Sequence, residues 1–446
     1  MRLRLALSVI VALVGGVMSI PAAAADGGPP PDGPSYDPSV SADGRWVAFV
    51  SEASNLLGGA SSADPNGFAD VFLVDTQTAT IRLVSSAGGA PADGPSAHPD
   101  ISADGRYVVF ETAATNIVPA DANGSSSDIV RFDAQTGALT LMSRRGATGA
   151  QGDGDSFAPT ISSDGTKVAF GSRATNLIGN DTNGKADIFV RDVVASVTTR
   201  ASTDSSGRQA NNASYDGAIA PNGTHVALSS LASNLVKGDT NGVRDVFLKN
   251  LTSGKTIRVS VSTGERQAKG SSGLEDVSAD GRSVVFSSFA PNLVKNDTNN
   301  KGDVFVRDRV GGTTVRASRR GAVEGNDDSF GAAISDDSAF VVFQTRATTL
   351  GETADENGSV GDLYEYRVET KALVRISVDA AGGWTNGGSY EAAIAGDGNV
   401  IAFASAATDL VAGDDDDVDD VFLHAWIDEG RSQRAVSWWS RALTVT

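Results

Sequence analysis

Seven clusters of oxygen-bearing side chains recur along this 446-residue chain, about sixty residues apart. In five of them an Asp is followed by Asn or Asp two positions on and by Asp six positions on. These are Asp64, Asn66, Asp70; Asp181, Asn183, Asp187; Asp239, Asn241, Asp245; Asp297, Asn299, Asp303; and Asp414, Asp416, Asp420. Two are one residue longer: Asp121, Asn123, Asp128 and Asp355, Asn357, Asp362. A Gly usually follows the middle residue. Alternating oxygen donors, a Gly that turns the chain back and a distal carboxylate are what a hard cation such as Ca²⁺ requires. The pattern is that of a shortened EF-hand-type loop, without the donor before the Gly and without the bidentate Glu at the end. Asn-Gly also makes a turn by itself, and Asp before a strand can accept from loose backbone amides. One such residue per loop would serve that purpose. Three at fixed spacing exceed it, as does a further Asn or Asp five residues upstream (Asn116, Asn176, Asn234, Asn292, Asp409). Both readings stand at this point, bound Ca²⁺ and a turn held by its own side chains.

The elements that must position these loops repeat with them. Ser-x-Asp-Gly starts at Ser41, Ser102, Ser162 and Ser278, and at Ser335 with Ser338 in place of the Gly, with worn copies at Ala220-Pro-Asn-Gly223 and Ala395-Gly-Asp-Gly398. In the third unit a short apolar run, Phe157 to Ser162, ends in this hairpin signal. Lys167 to Ser172 alternates as a second strand, and a polar loop runs from Arg173 to Ala186. Ile188–Asp192 is rich in β-branched and aromatic residues, and Thr198–Ser202 supplies a fourth strand. No stretch shows sustained helical periodicity. Four short strands per unit in seven units predict an all-β fold, a seven-bladed β-propeller of four-stranded blades. A β-helix needs shorter coils and gives no reason for one hairpin per unit.

The motif Ser-x-Asp-Gly-[Arg/Lys]-x-Val-[Ala/Val]-Phe, followed by Asp-[Val/Ile]-Phe-[Val/Leu]-x-Asp, resembles the WD40-like repeat of TolB-type propellers across residues 36–437. The resemblance implies a propeller without the extra domain that TolB carries before its own. It implies little about activity, since such propellers serve as docking surfaces, substrate gates and enzyme scaffolds. The Ser-x-Asp-Gly turns also resemble the Asp-box hairpins of sialidase-type propellers, where the Asp holds the turn.

Residues 1–25 read as a secretory signal peptide. Arg2 and Arg4 precede an apolar run from Leu5 to about Met18, and Ala23-Ala24-Ala25 offers a cleavage site. Residues 26–35 form a short linker, and 438–446 an atypical tail carrying Trp438 and Trp439. The chain has no cysteine, so an exported form relies on its core alone. Formal charge is −19, and removing the two arginines of the signal segment leaves −21. Nucleic acid and anionic lipid are poor partners for such a surface. Counting strands from the first unit to the seventh, no strand is exchanged to lock the ring, so closure is expected to rest on apolar packing between the end blades.

Other chemistries find little support. Gly179 to Lys185 has phosphate-loop spacing, but Ala186 stands where a Ser or Thr would hold Mg²⁺. No nucleophile elbow or His-Glu-x-x-His occurs, and His98, His225 and His424 fall at different points of the unit. Unequal polar connections between units (Gly207 to Asn212, Gly264 to Gln267, Gly325 to Asp328, Trp384 to Gly387) suit a carbohydrate or polar peptide, and equally suit solvated loops. The Ser-aromatic pairs Ser35-Tyr36, Ser156-Phe157, Ser214-Tyr215, Ser329-Phe330 and Ser389-Tyr390 read as blade packing. The expectation is therefore a monomeric, secreted or envelope-located propeller without catalytic residues. It binds or scaffolds a protein or cell-surface polymer, with Ca²⁺ in its acidic loops. The alternatives are a polysaccharide hydrolase or lyase using acidic residues in the central cavity, and a purely structural envelope protein.

Overall fold

In each repeat the first strand is six residues long and starts at Ser: Ser35–Val40, Ser96–Ile101, Ser156–Ile161, Ser214–Ile219, Ser272–Val277, Ser329–Ile334 and Ser389–Ile394. That opening Ser pairs through its hydroxyl with a Ser or Thr at the end of the second strand, as Ser156 does with Ser172 at 2.9 Å and Ser329 with Thr345 at 2.9 Å. The computed structural model describes residues 31–57, 66–118, 121–414, 416–426, 431 and 434–438. Seven four-stranded antiparallel sheets result, each made from one continuous stretch of chain in simple up-and-down order. No helix occurs among the described residues. The proposed signal peptide and residues 439–446 lie outside them.

The Ser-x-Asp-Gly turn forms as the sequence suggests. Ser162 Oγ donates to Asp164 Oδ1 at 2.7 Å, and the same carboxylate oxygen accepts from Thr166 N at 3.0 Å. The Gly takes a positive φ, +69° at Gly165, and packs against the preceding blade; a Cβ there would fall 2.1 Å from the Tyr107 ring. The second and third strands differ from expectation in one respect. Val168, Ala169 and Phe170 are all buried, not alternately, because each blade is covered on both faces by its neighbours. The outer strand of the third blade is Val197–Arg200, shorter than the sequence suggested.

Seven apolar clusters fill the seven interfaces between successive blades. One joins the first blade to the last, with Val47, Phe49 and Phe72 against Val400, Val421 and Leu423. The ring therefore closes without strand exchange, and apolar packing does span the seam. Backbone hydrogen bonds span it too. Ser35 N donates to Asp419 O at 2.6 Å, and Gly396 N to Ala42 O at 3.1 Å. The second of these belongs to a continuous annulus about the axis. Ala42 N bonds Ala103 O, Ala103 N bonds Ser163 O, and Ser163 N bonds Pro221 O. Pro221 lacks an N–H, so Asn222 N continues to Ala279 O, and Ala279, Asp336 and Gly396 complete the circle. The annulus stands at the face that carries the hairpin turns. The acidic loops and blade-to-blade connections emerge at the opposite face.

Candidate functional site

Every acidic loop delivers its distal Asp to the first residue of the third strand, where it is buried. Asp245 shows the arrangement. Its Oδ1 accepts from Ser260 Oγ at 2.6 Å, and its Oδ2 from Asn241 Nδ2 at 2.8 Å. Asn241 also donates to Ala268 O in the connection to the next blade and accepts from Val243 N. Burial raises the Asp245 pKa, as it does for Asp128 and Asp187. Arginines on the outer strand face these carboxylates. Arg200 lies 3.3 Å from both Asp181 and Asp187, Arg258 3.2 Å from Asp239 and 3.6 Å from Asp245, and Arg316 2.8 Å from Asp303 and 3.5 Å from Asp297. In blades three, four and five, an internal cation thus stands against the carboxylates that the sequence offered to a metal.

The remaining loops differ. In blade two, Gln151 Nε2 donates to Asp121 Oδ1 and Asn123 Oδ1, both at 2.9 Å, and to Asp128 Oδ2, so an amide stands among all three expected ligands. In blade one, Asn66 Nδ2 donates to Asp70 at 2.5 Å and to Ala92 O at 3.0 Å, while Asp64 lies outside the described residues. In blade six, Asp355, Asn357 and Asp362 share a loop, and Arg375 acts on Asp362 as a nearby positive charge while its Nη2 donates to Gly382 O at 3.5 Å. Blade seven alone among the described residues brings three carboxylates together: Asp414, Asp416 and Asp420 offer oxygens within 4.8 Å of one another. The upstream Asn residues serve the connections. Asn234 Oδ1 accepts from Asn211 N at 2.9 Å, and its Nδ2 donates to Gln209 O at 2.8 Å; Asn116, Asn176 and Asn292 accept in the same way.

A second group of titratable residues was not singled out from sequence. The first strands of all seven blades line an axial cavity, about 350 Å³ toward the loop face and about 200 Å³ toward the annulus. Each first strand carries a β-bulge at its middle. The third residue accordingly takes a positive φ at Asp37, His98, Ala158, Asp216 and Glu391 (35° to 53°), and at Gly331. A bulge re-aims side chains, and non-Gly residues held this way store strain of about 1–3 kcal/mol each. Asp37, His98, Asp216, Leu274 and Glu275 border the cavity at this level, and Asp100 and Asp276 one level deeper.

Several of these carboxylates staple one blade to the next. Asp37 N donates to Glu391 Oε2 at 2.8 Å across the seam, and His98 N to Asp37 Oδ2 at 3.0 Å. Deeper in, Ile161 N donates to Asp100 Oδ2 at 2.7 Å and Ile334 N to Asp276 Oδ2 at 2.9 Å. Asp100 uses both oxygens, since its Oδ1 also accepts from Ser39 Oγ of blade one at 3.0 Å. Desolvation pushes Asp276 up to about 7 and Glu275 to about 6, and raises Asp37, Asp100 and Glu391. His98 is raised by its hydrogen bond to Glu111, 3.2 Å away. A signal for this group does exist in the sequence. The third and fifth positions of the first strand vary from unit to unit (Asp, His, Ala, Asp, Leu, Gly, Glu at the third), while the opening Ser does not.

No family model matches the chain, and none of the curated proteins does. Similar solved structures exist. The oligogalacturonate lyase of Vibrio parahaemolyticus has a TM-score of 0.53 at 11% identity, over 91% of this chain and 93% of its own. The β-propeller domain of the Trilobed protease from Pyrococcus furiosus, described as having an open velcro topology, gives 0.53 at 11% identity, over 92% and 96%. TolB from Acinetobacter baumannii also matches, with a TM-score of 0.40 at 12% identity over 83% and 78%, too distant to carry weight. At these identities the likeness speaks for architecture alone, and with the strand order and the closed annulus it places this chain among the seven-bladed β-propellers.

Proposed function

We propose that the chain is an exported binding module whose recognition site is the loop-face mouth of the axial cavity, and that it takes a cationic group displayed by a protein or cell-surface polymer. One observation carries this reading: carboxylates collect at first-strand positions that depart from the repeat, with Asp37, Asp216 and Glu275 lining the cavity and Glu391 bound to Asp37 N beside it. Repeat positions serve the fold in every blade, so departures from them mark what one site needs. The half-buried rings of Tyr36, Tyr215 and Tyr390 precede these positions and suit an ammonium or guanidinium group, whereas Phe157 and Phe330 already carry Arg173 and Arg346 over their rings. An acidic mouth on a chain of formal charge −19 also speeds encounter with a cationic partner.

The test is calorimetric titration at physiological salt with an oligolysine peptide and, separately, with oligogalacturonate. The double substitution Asp37→Asn, Glu391→Gln is expected to weaken oligolysine binding about tenfold, some 1.4 kcal/mol. Equal binding by wild type and variant, or tighter binding of oligogalacturonate, overturns the reading. The second reading, a polysaccharide lyase or hydrolase, draws on the architecture shared with oligogalacturonate lyase and on the His98–Glu111 pair at the cavity. The acidic lining argues against an anionic oligosaccharide. Appearance of unsaturated uronide absorbance with oligogalacturonate would favour the lyase.

For calcium, the proposal contracts to blade seven, where Asp414, Asp416 and Asp420 converge. Three carboxylates and no bidentate Glu correspond to a weak, extracellular-type site. Calcium at ten times its Kd is expected to add about 1.4 kcal/mol of stability. Thermal melts in EDTA and in millimolar CaCl₂ check this, with Asp416→Asn expected to abolish the shift. Identical melting curves remove calcium from the account.

A further inference from the structure

Blade six departs from the other blades at the outer edge of the loop face, away from the axial mouth. Three changes coincide there. Tyr364 occupies the third-strand position that is Phe72, Phe189, Phe247, Phe305 and Phe422 in blades one, three, four, five and seven. Trp384 stands where Gln151, Gln209 and Gln267 reach back to the acidic loop in blades two to four, so blade six has no amide there. Arg375, the counterpart of Arg200, Arg258 and Arg316, lies against the Trp384 ring at 3.5 Å from its centre.

These changes leave polar atoms without partners. The Tyr364 residue is 2% exposed and its hydroxyl has no hydrogen-bond partner, nor has Asn357 Oδ1; Arg375 Nε and Asp355 Oδ2 also lack one, as do their counterparts Arg200, Arg258 and Arg316 Nε and Asp121 Oδ2. A buried hydroxyl or guanidinium left this way costs about 1–3 kcal/mol, so a satisfied state is expected to exist. Tyr364 and Arg375 line a cavity of about 310 Å³, together with Glu352, Thr353 and Leu373. Trp384 backs its wall and donates from Nε1 to Thr353 Oγ1 at 3.2 Å.

We propose that this blade-six cavity binds a neutral polyhydroxylated ligand, a single sugar unit. The polar lining is mixed: Arg375 donates, Glu352 accepts, and the hydroxyls of Tyr364 and Thr353 can do either. A sugar hydroxyl both donates and accepts, so neighbouring hydroxyls match the Tyr364 hydroxyl and Arg375 Nε together. A bare cation would pair with the acceptors alone and be opposed by Arg375. An anion would pair with the donors alone and be opposed by Glu352, Asp355 and Asp362. The cavity volume suits one hexose ring with little room beyond.

The experiment uses the full mature chain and four probes: glucose, galactose, mannose and N-acetylglucosamine, read by ligand-observed NMR and by titration calorimetry. Wild type is expected to bind at least one of them. Tyr364→Phe, which installs the residue found in five other blades, is expected to fold with an unchanged or higher Tm and to bind that sugar about tenfold more weakly, because a site built around a hydroxyl loses affinity when its partner goes. Arg375→Leu, which installs the residue of blades one and two, is expected to weaken binding likewise. The proposal is overturned if none of the four binds, which makes the cavity a water site, or if both variants bind as wild type does. It is also overturned if CaCl₂ alone raises the wild-type Tm through Asp355, shown by loss of the shift in Asp355→Asn, while the sugars do nothing.

Discussion

Arg316→Met is expected to lower the unfolding free energy by about 3–5 kcal/mol, the cost of breaking a buried ion pair by removing one partner. Arg316 is 3% exposed and holds three carboxylates at once: Asp303 at 2.8 Å, Glu324 at 2.6 Å and Asp297 at 3.5 Å. Burial, and then the neighbouring Asp303, already push Asp297 up to about 6 with the arginine in place. Without it, Asp297 and Asp303 face each other in a site that water barely reaches, and one of them must take a proton. Methionine keeps the apolar stem and so separates loss of charge from loss of packing. Urea unfolding at neutral pH measures the effect. A loss below about 1 kcal/mol, the range of exposed pairs, would mean that the network is solvated and that the arginine is not what neutralises the loop.

The second large effect is a stability maximum on the acid side of neutrality, at roughly pH 5. The carboxyl groups raised in the folded chain include Asp276, to about 7, and Glu275, Asp297 and Asp362, to about 6. The ordinary values are 3.8 for Asp and 4.5 for Glu. A raised carboxyl binds its proton more tightly folded than unfolded. Stability therefore grows as pH falls through the folded value and levels off below the ordinary one. His98, also raised, acts in the same direction: its contribution is complete below 6.5 and is lost as pH climbs through its folded value. Opposing them are carboxylates held below their ordinary range. Arg282 holds Asp308 at about 2, and Arg45 and Arg106 lower Asp75 and Asp133 by the same bidentate contact between the two turns of a blade. Their stabilisation is present above the ordinary value and lost as pH falls below it. The two sets together produce a maximum between them. Asp276 borders the cavity, so water there screens part of its penalty. Asp276→Asn is expected to remove on the order of 2 kcal/mol of the decline between pH 5 and 8. Chemical denaturation across pH 3–9 tests both statements. A wild-type profile that is flat above pH 5, or one that Asp276→Asn leaves unaltered, contradicts the desolvated state of this carboxyl.

The fold was largely legible because its signals are local. Ser-x-Asp-Gly closes a hairpin with its own side chains, as Ser162 and Asp164 do, and the strand after it is apolar whatever its neighbours. Seven copies of such a unit, each too small to bury its faces alone, leave a ring as the natural solution. The direction of each strand then puts the acidic loops and the connections on one face, as the strand order bears out. The carboxylates of the loops were equally visible. Their counter-charges were visible too, thirteen residues after the strand Asp at Arg200, Arg258, Arg316 and Arg375, but sequence spacing does not say that they meet. That depends on the register of the outer strand, which sets Arg200 opposite Phe189 and Arg258 opposite Phe247.

What the chain determines residue by residue is therefore the blade: its hairpin, its buried strands and its loop of oxygen donors, all built from contacts within about thirty positions. The assembled ring alone decided three other matters. It closed the annulus from Ala42 to Gly396, it gathered Asp37, His98 and Glu391 from the chain's two ends around one axis, and it matched arginines to acids in some loops and not in others. The physical reason is the same in each case. Charge and hydrogen-bonding capacity belong to single residues, but whether they are satisfied depends on the distance to groups that only tertiary packing brings near.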